Sequence, residues 1–258
     1  MYKDENILIN HISAGGKITA NDEISPAYRG ELMRLMVVFT DSELAGAAGF
    51  VPFINSAPGL RERTVAAQIV TEKFSHAEAV LGLLERFGVH AELYVRSHAW
   101  DARLDRDIDL GNRRIAGDKR LNIFHYPLEG WVDAVTMNML MGTASSVQLN
   151  ELLNCSYEPL ATVMGDIVKR EESHATLGET GLREALERGS SKLVAQATIN
   201  YWYPRVAATF GRADSERGDV YQKYGLRHNS NADLLKIWEE KVSPKISALG
   251  LSLPASGA

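Results

Sequence analysis

The hydrophobic positions of this chain recur at intervals of three and four, not two, and they do so in long runs. Ser25-Pro26 opens the first run, with a serine suited to cap a helix and a proline preset for its first turn. Tyr28, Leu32, Leu35, Phe39 and Gly46 mark its apolar stripe, and Glu43 sits beside that stripe near Phe39, Ala47 and Phe50. Pro52 is expected to end it. A second helix should start after Ser56-Ala57-Pro58 and run to about Phe87, where Gly88 caps it.

The third run starts between positions 127 and 131 and reaches about Leu153, with Val135, Met141 and Leu149 inward. The fourth covers 156–186, with Pro159 in its first turn. A fifth helix over 192–210 should kink at Pro204, and a last one over 234–249 should be interrupted at Pro244. Residues 1–25 read as an irregular lead-in to one helical domain over 26–258. Residues 88–125 are mixed: a short helix is expected over 94–104, then a charged surface excursion. Residues 211–219 read as a polar loop. Alternating strand patterns are absent, so the fold class is all-α.

Two of these helices carry ionisable groups inside their apolar arcs. With His174 as origin and 100° per residue, Glu171 lies at about 60°. That places it within an arc made by Leu160, Met164, Ile167, Val168 and Leu182. With His76 as origin, Lys73 takes the same position within an arc of Ile69, Val70, Val80, Leu81 and Leu84. A buried ionisable side chain is costly unless it is paired or bound to metal. Glu-x-x-His on two inward-facing helices is how a four-helix bundle builds a carboxylate-bridged dimetal site. Here one copy is intact and the other reads Lys-x-x-His. Glu43 precedes His76 by nearly the interval that separates Gly142 from His174, so the chain reads as two helical hairpins of one design.

Other polar residues have simpler readings. Glu72 falls at the edge of the arc and reads as a half-exposed carboxylate. Glu78 reads as solvated, and Gln148 and Glu151 as poor candidates for ligands. His125 and Tyr126 precede the third helix, where turn packing is expected ahead of lining an entrance. His11, His90, His98 and His228 read as surface residues. Tyr201, Trp202 and Tyr203 read as packing groups, in the core or at a helix–helix interface. The small residues 142–146 suggest room beside the site.

Composition narrows the partners. The formal net charge is −5, which leaves no basic excess for nucleic acid. Arg113, Arg114, Lys119 and Arg120 form a local basic cluster, read as a solvated loop or as a surface for an anionic ligand. The single cysteine, Cys155, cannot form an internal disulfide, which fits a reducing cytoplasm; buried packing is its expected role. No signal-like start or membrane-length apolar run is evident, so a cytoplasmic chain without a membrane partner is expected.

Several dispersed motifs occur in one order: Ala27-Tyr28-Arg29, Ser42-Glu43-x-x-Gly46, Ala57-Pro58-x-Leu60-Arg61, Phe124-x-Tyr126-Pro127, Ser156-Tyr157-x-Pro159, Lys169-x-Glu171-x-x-His174 and Trp202-x-Pro204. With these the chain resembles the ferritin-like family of phenylacetyl-CoA epoxidase subunits, closest to the catalytic one. The resemblance implies a ferritin-like four-helix bundle with additional C-terminal helices. It also implies two irons held by one carboxylate from each of the first and third helices and Glu-x-x-His from the second and fourth. Glu43, His76, Glu171 and His174 match ligand types. Lys73 stands where a bridging Glu is expected, and Gly142 stands near the place of the third helix's acid.

Two readings follow. In one, the chain is an oxygenase acting on an aromatic or acyl-CoA-like small molecule with O2, an external reductase and iron, mononuclear or in an altered dinuclear site. Lys73 then tunes the site or handles protons. In the other, the Lys73 ammonium replaces the metal charge between Glu43 and Glu171, and the chain is a metal-free structural or regulatory subunit. The expected partners are a reductase or a sister subunit, in a homo- or hetero-oligomeric assembly.

Overall fold

The computed structural model describes residues 2–254. Among them all the regular elements are helices, with no β-strand beyond two single bridges, Tyr2 to Ile24 and Ile18 to Tyr157. Residues 1–25 are not irregular: α1 spans Glu5–Ser13. The Asp4 carboxylate accepts from the amides of Asn6 and Ile7, and Leu8 is fully buried. A helix this short lacks the repeated stripe that periodicity needs, and its cap is the signal that marks it.

The bundle consists of two hairpins. α2 (Pro26–Ser56) packs on α3 (Leu60–Glu85), and, after a short α4 (Ala91–Arg96), α5 (Trp131–Asn150) packs on α6 (Glu158–Glu187). The hairpins meet through α3 against α6 and α2 against α5. Ser25 Oγ accepts from the Tyr28 amide at 3.2 Å, with Pro26 in the first turn, as the sequence predicts. Pro52 does not end α2, which continues to Ser56. A proline removes one backbone bond, but its fixed φ still suits a helix, so near the end of a long helix it is tolerated. Gly189, at φ +94°, ends α6, and the Ser190 amide reaches back to the Ala185 carbonyl at 3.0 Å.

Helix α5 is the central rod and is buried along almost its whole length. Glycines set its distance from α6. A Cβ at Gly142 would stand 2.9 Å from the Ala175 Cα, and one at Gly178 would stand 2.4 Å from the Met139 amide nitrogen. α7 (Lys192–Ala207), α8 (Glu216–Lys223) and α9 (Asn231–Ala248) complete the chain, with α7 and α9 covering the outer face of α5. Trp202 donates to Asp133 at 2.8 Å and Trp238 to the Leu140 carbonyl at 3.1 Å, both fully buried. Tyr201, Trp202 and Tyr203 therefore pack within the chain; Trp202 offers nothing to a partner helix. α8 lies where a polar loop was expected, begun by the Ser215 cap onto the Gly218 amide.

α4 is shorter than the expected 94–104 helix, and the region after it is tied down by side chains. Asp41 on α2 accepts from the Tyr94 hydroxyl and from the Lys119 amide. Arg120 is buried, paired with Asp118 at 2.8 Å and bonded to the Trp100 carbonyl, so this part of the basic cluster is not a solvated loop. Cys155 is buried, and burial pushes its thiol up to about 11. Helix α2 is the one described helix long and apolar enough to cross a membrane, and 56% of its most apolar window is covered inside the protein.

Candidate functional site

Helices α2, α3 and α6 each deliver side chains to one enclosed point. Lys73 donates to Glu43 Oε1 at 3.1 Å and to Glu171 Oε1 at 3.0 Å. His76 Nδ1 lies 3.0 Å from Glu43 Oε2 and 3.4 Å from Glu171 Oε1. His174 Nδ1 lies 3.1 Å from Glu171 Oε1. The two imidazoles stack with centroids 6.0 Å apart. All five side chains singled out by the helical periodicity converge, and all five are buried. Glu171 is the hub, since one oxygen meets Lys73 and both histidines.

Electrostatics hold the cluster together. Burial pushes the Lys73 ammonium toward its neutral form, but Glu171 and Glu43 more than offset this, so its pKa rises. Burial opposes the charge on His76 in the same way, and the same two carboxylates raise it to about 9. Burial disfavours the Glu171 carboxylate, yet Lys73, His174 and His76 hold it well below the usual carboxylate range. These shifts agree with one another: the site is built to keep opposite charges paired in a dry environment.

Glu72 is half-buried at the edge of the arc, as expected, and it also adjoins the site. It sits directly before Lys73 and accepts from His174 Nε2 at 2.6 Å. Arg170 at 2.6 Å and Gln68 at 3.0 Å fix it from outside. Both ring nitrogens of His174 therefore face carboxylate oxygens, which suits a ring held at Nε2 by Glu72 while Nδ1 faces Glu171 or a metal. The equivalent residue before Glu171 is Arg170, a donor. Among the described residues His76 Nε2 has no partner. The signal for Glu72 in the sequence was its i, i+4 relation to His76, but the partner it finds is on another helix.

The fourth wall, α5, brings no acid. Asn138, Met141, Gly142 and Ser145 face this region, and Asn138 donates to the His174 carbonyl at 2.9 Å. Gly142 has no space for a side chain, because Ala175 blocks it. Glu151 is turned away, accepting from the amides of His228 and Asn229. Gln148 lines a separate cavity and donates to Thr209 at 3.2 Å. His11, His90, His98 and His228 lie outside the site, as expected. His90 caps α4.

A pair of irons does not fit these residues. Two carboxylates replace roughly four, and an ammonium occupies the bridging position; each unit-charge repulsion at 4 Å costs about 4 kcal/mol at an effective dielectric near 20. The donor types of Glu43, His76 and Glu171 suit one divalent ion, for which Lys73 would have to give up its bonds to the two carboxylates. Ligand atoms of Glu43, His76 and Glu171 lie within 4.8 Å of one another, and His174 Nδ1 adjoins them.

Glu43 also lies at the inner end of a cavity of about 390 Å³. The cavity follows α2 outward from Glu43 through Phe39 to Arg34, roughly 14 Å at 1.5 Å per residue. Its walls are Leu35, Phe124, Met141 and Leu149, and His125 lines it too. Arg34, Arg114, Arg217 and Arg227 are among its residues, and Glu31 is shared by Arg34 at 3.6 Å and Arg217 at 3.4 Å. Burial pushes the Arg227 guanidinium below its usual value, and its Nε has no partner among the described residues.

The fold and the buried carboxylate–histidine cluster define an all-α protein of ferritin-like bundle type. The chain belongs to the phenylacetic acid catabolic protein family, whose pattern matches residues 3–258. It is 26% identical over 242 residues to one of the subunits of 1,2-phenylacetyl-CoA epoxidase from Escherichia coli (strain K12), an alignment covering 92% of this chain and 73% of that one.

Proposed function

We propose that this chain is an oxygenase component of the phenylacetyl-CoA epoxidase type, binding an aromatic acyl-CoA in the large cavity beside a single-metal site. The cavity carries the reading: its volume of about 390 Å³ lies in the range of ligand pockets, ~300–1,000 Å³. Its inner end is Glu43, and the arginines along it suit the phosphates of a coenzyme A thioester. The acyl group would occupy the apolar part between Phe39, Phe124 and Met141.

Glu43, His76, Glu171 and His174 would hold one divalent ion, iron by analogy with the family. Bound there, such an ion supplies O2 activation with electrons from an external reductase, since the chain has one cysteine and no iron–sulfur set of its own. Glu72 orients His174. Lys73 competes with the ion for Glu43 and Glu171, and through its bond to Glu43 its Nζ can hand a proton toward the inner end of the cavity. Phe124 and Met141 exclude water from that end. A sister subunit is the natural partner, because the relative named above is one component of a larger enzyme.

The test is calorimetric titration with phenylacetyl-CoA, followed by O2-dependent turnover with an added reductase. Binding with turnover supports the reading, and no binding overturns it. The position of Lys73 between the two carboxylates favours a second reading, a metal-free subunit that holds a partner or substrate without turnover. Acyl-CoA binding in protein that takes up no metal would select it.

A further inference from the structure

The wall that α5 gives to the large cavity has a polar step in it. α2 and α5 run antiparallel there, since Tyr28 near the start of α2 shares a hydrogen bond of 2.8 Å with Ser156, just past the end of α5. Going outward from Glu43 toward Arg34 on α2 therefore means going from Met141 through Ser145 and Gln148 to Leu149 on α5. Met141 and Leu149 are apolar; the two residues between them carry a hydroxyl and an amide. Ser145 also borders a smaller cavity beside Lys73 and Glu171, which places it toward the inner end.

The hydroxyl of Ser145 differs from the others on its helix. Thr136, Thr143 and Ser146 each donate to the carbonyl four residues back, at 2.7, 2.8 and 2.9 Å. Ser145 is half-buried and, among the described residues, its hydroxyl has no hydrogen-bond partner. A hydroxyl held at a cavity wall in this way is a donor for whatever fills the cavity. Gln148 is set the other way. Thr209 donates its own hydroxyl proton to the Val206 carbonyl at 2.7 Å, so toward Gln148 it accepts, taking an Nε2 proton at 3.2 Å. This network fixes the amide and leaves Gln148 Oε1 as an acceptor.

A donor followed outward by an acceptor matches the arm of a coenzyme A thioester. That arm presents a carbonyl, then a sulfur and two methylenes, then an amide N–H. The rise from position 145 to 148 is about 4.5 Å, and the sulfur and two methylenes have a similar reach. We infer that Ser145 donates to the thioester carbonyl of the bound acyl-CoA and that Gln148 Oε1 accepts from the first amide N–H of its pantetheine arm. The inference rests on the acyl-CoA reading of the cavity and adds the two groups that set how deep the arm slides. With the carbonyl held at Ser145, the acyl group lies one helical turn further in, against Met141 and Phe124 and beside Glu43.

Calorimetric titration with two ligands separates the contacts: phenylacetyl-CoA, and S-(2-phenylethyl)-CoA, in which a methylene replaces the carbonyl. The wild-type chain should bind the thioether about three- to tenfold more weakly, the worth of one neutral hydrogen bond. Ser145→Ala should weaken the thioester by that factor and leave the thioether unchanged, and Ser145→Thr should restore the thioester. Gln148→Leu should weaken both ligands alike, because both keep the amide. Equal losses for the two ligands in Ser145→Ala, or an unchanged thioester affinity in either Ser145→Ala or Gln148→Leu, would overturn the inference. A wild-type chain that binds neither ligand defeats the proposed function and this inference with it. Thioester binding that is indifferent to Ser145 defeats the inference alone.

Discussion

The Lys73 ammonium on α3 lies 3.0 Å from the Glu171 carboxylate on α6, and both are buried. This contact joins the two hairpins of the bundle through one ion pair in a dry region. Removing one partner of such a pair leaves an uncompensated charge. Lys73→Glu should therefore lower the stability of metal-free protein by about 3–5 kcal/mol. Added Mn²⁺ or Fe²⁺ should restore it by supplying the missing positive charge. Urea unfolding with and without metal checks both halves.

His76 gives the metal-free protein a pH dependence. Its folded pKa is raised from 6.5 to about 9. The imidazolium thus contributes stability that is complete below the unfolded value and is lost as pH climbs through about 9. The contribution is on the order of 3 kcal/mol at most. Unfolding midpoints should fall between neutral pH and pH 9, and His76→Gln should flatten that slope. Glu171 acts in the opposite direction: its stabilisation is present above the unfolded carboxylate value and is lost in strong acid, as pH falls through its depressed folded pKa.

Glu72 should matter to metal affinity more than to folding. It is partly open to solvent, and its bond to His174 orients a ligand ring. Loss of such a partner costs ~10–100-fold in metal affinity. Glu72→Gln should show that loss in a competition assay with a metal chelator, with little change in melting temperature. An unchanged affinity would remove Glu72 from the site.

The arginines of the large cavity predict a salt-sensitive interaction. Arg34→Ala and Arg217→Ala should weaken coenzyme A thioester binding and reduce its dependence on ionic strength. Titrations at two salt concentrations read both effects. Equal binding by the variants would move the phosphates elsewhere.

Much of this was legible in the chain. Lys73 and Glu171 lie inside apolar arcs, each three residues before a histidine, with Glu43 beside a third stripe, and long helices keep a phase that periodicity can follow. The conflict between Lys73 and a second metal was also visible in the residue itself. Glu72 escaped because its partner, His174, is on a different helix, and a helical wheel shows only neighbours on the same one. Helices α1 and α8 escaped because they are too short to repeat a stripe. The segment after α4 escaped because side-chain bonds, such as Arg120 to Asp118 and Tyr94 to Asp41, order it in place of periodic burial. Gly142 read as a missing acid, but its packing on Ala175 shows a position where no side chain fits.

Lys73, bonded to Glu43 and Glu171, should leave room for one divalent ion per chain. Anaerobic reconstitution with excess Fe²⁺, removal of loose metal and elemental analysis measures this directly. One tightly held iron per chain is expected, lost in Glu171→Ala; two per chain, or none in folded protein that still binds acyl-CoA, would overturn the single-ion site.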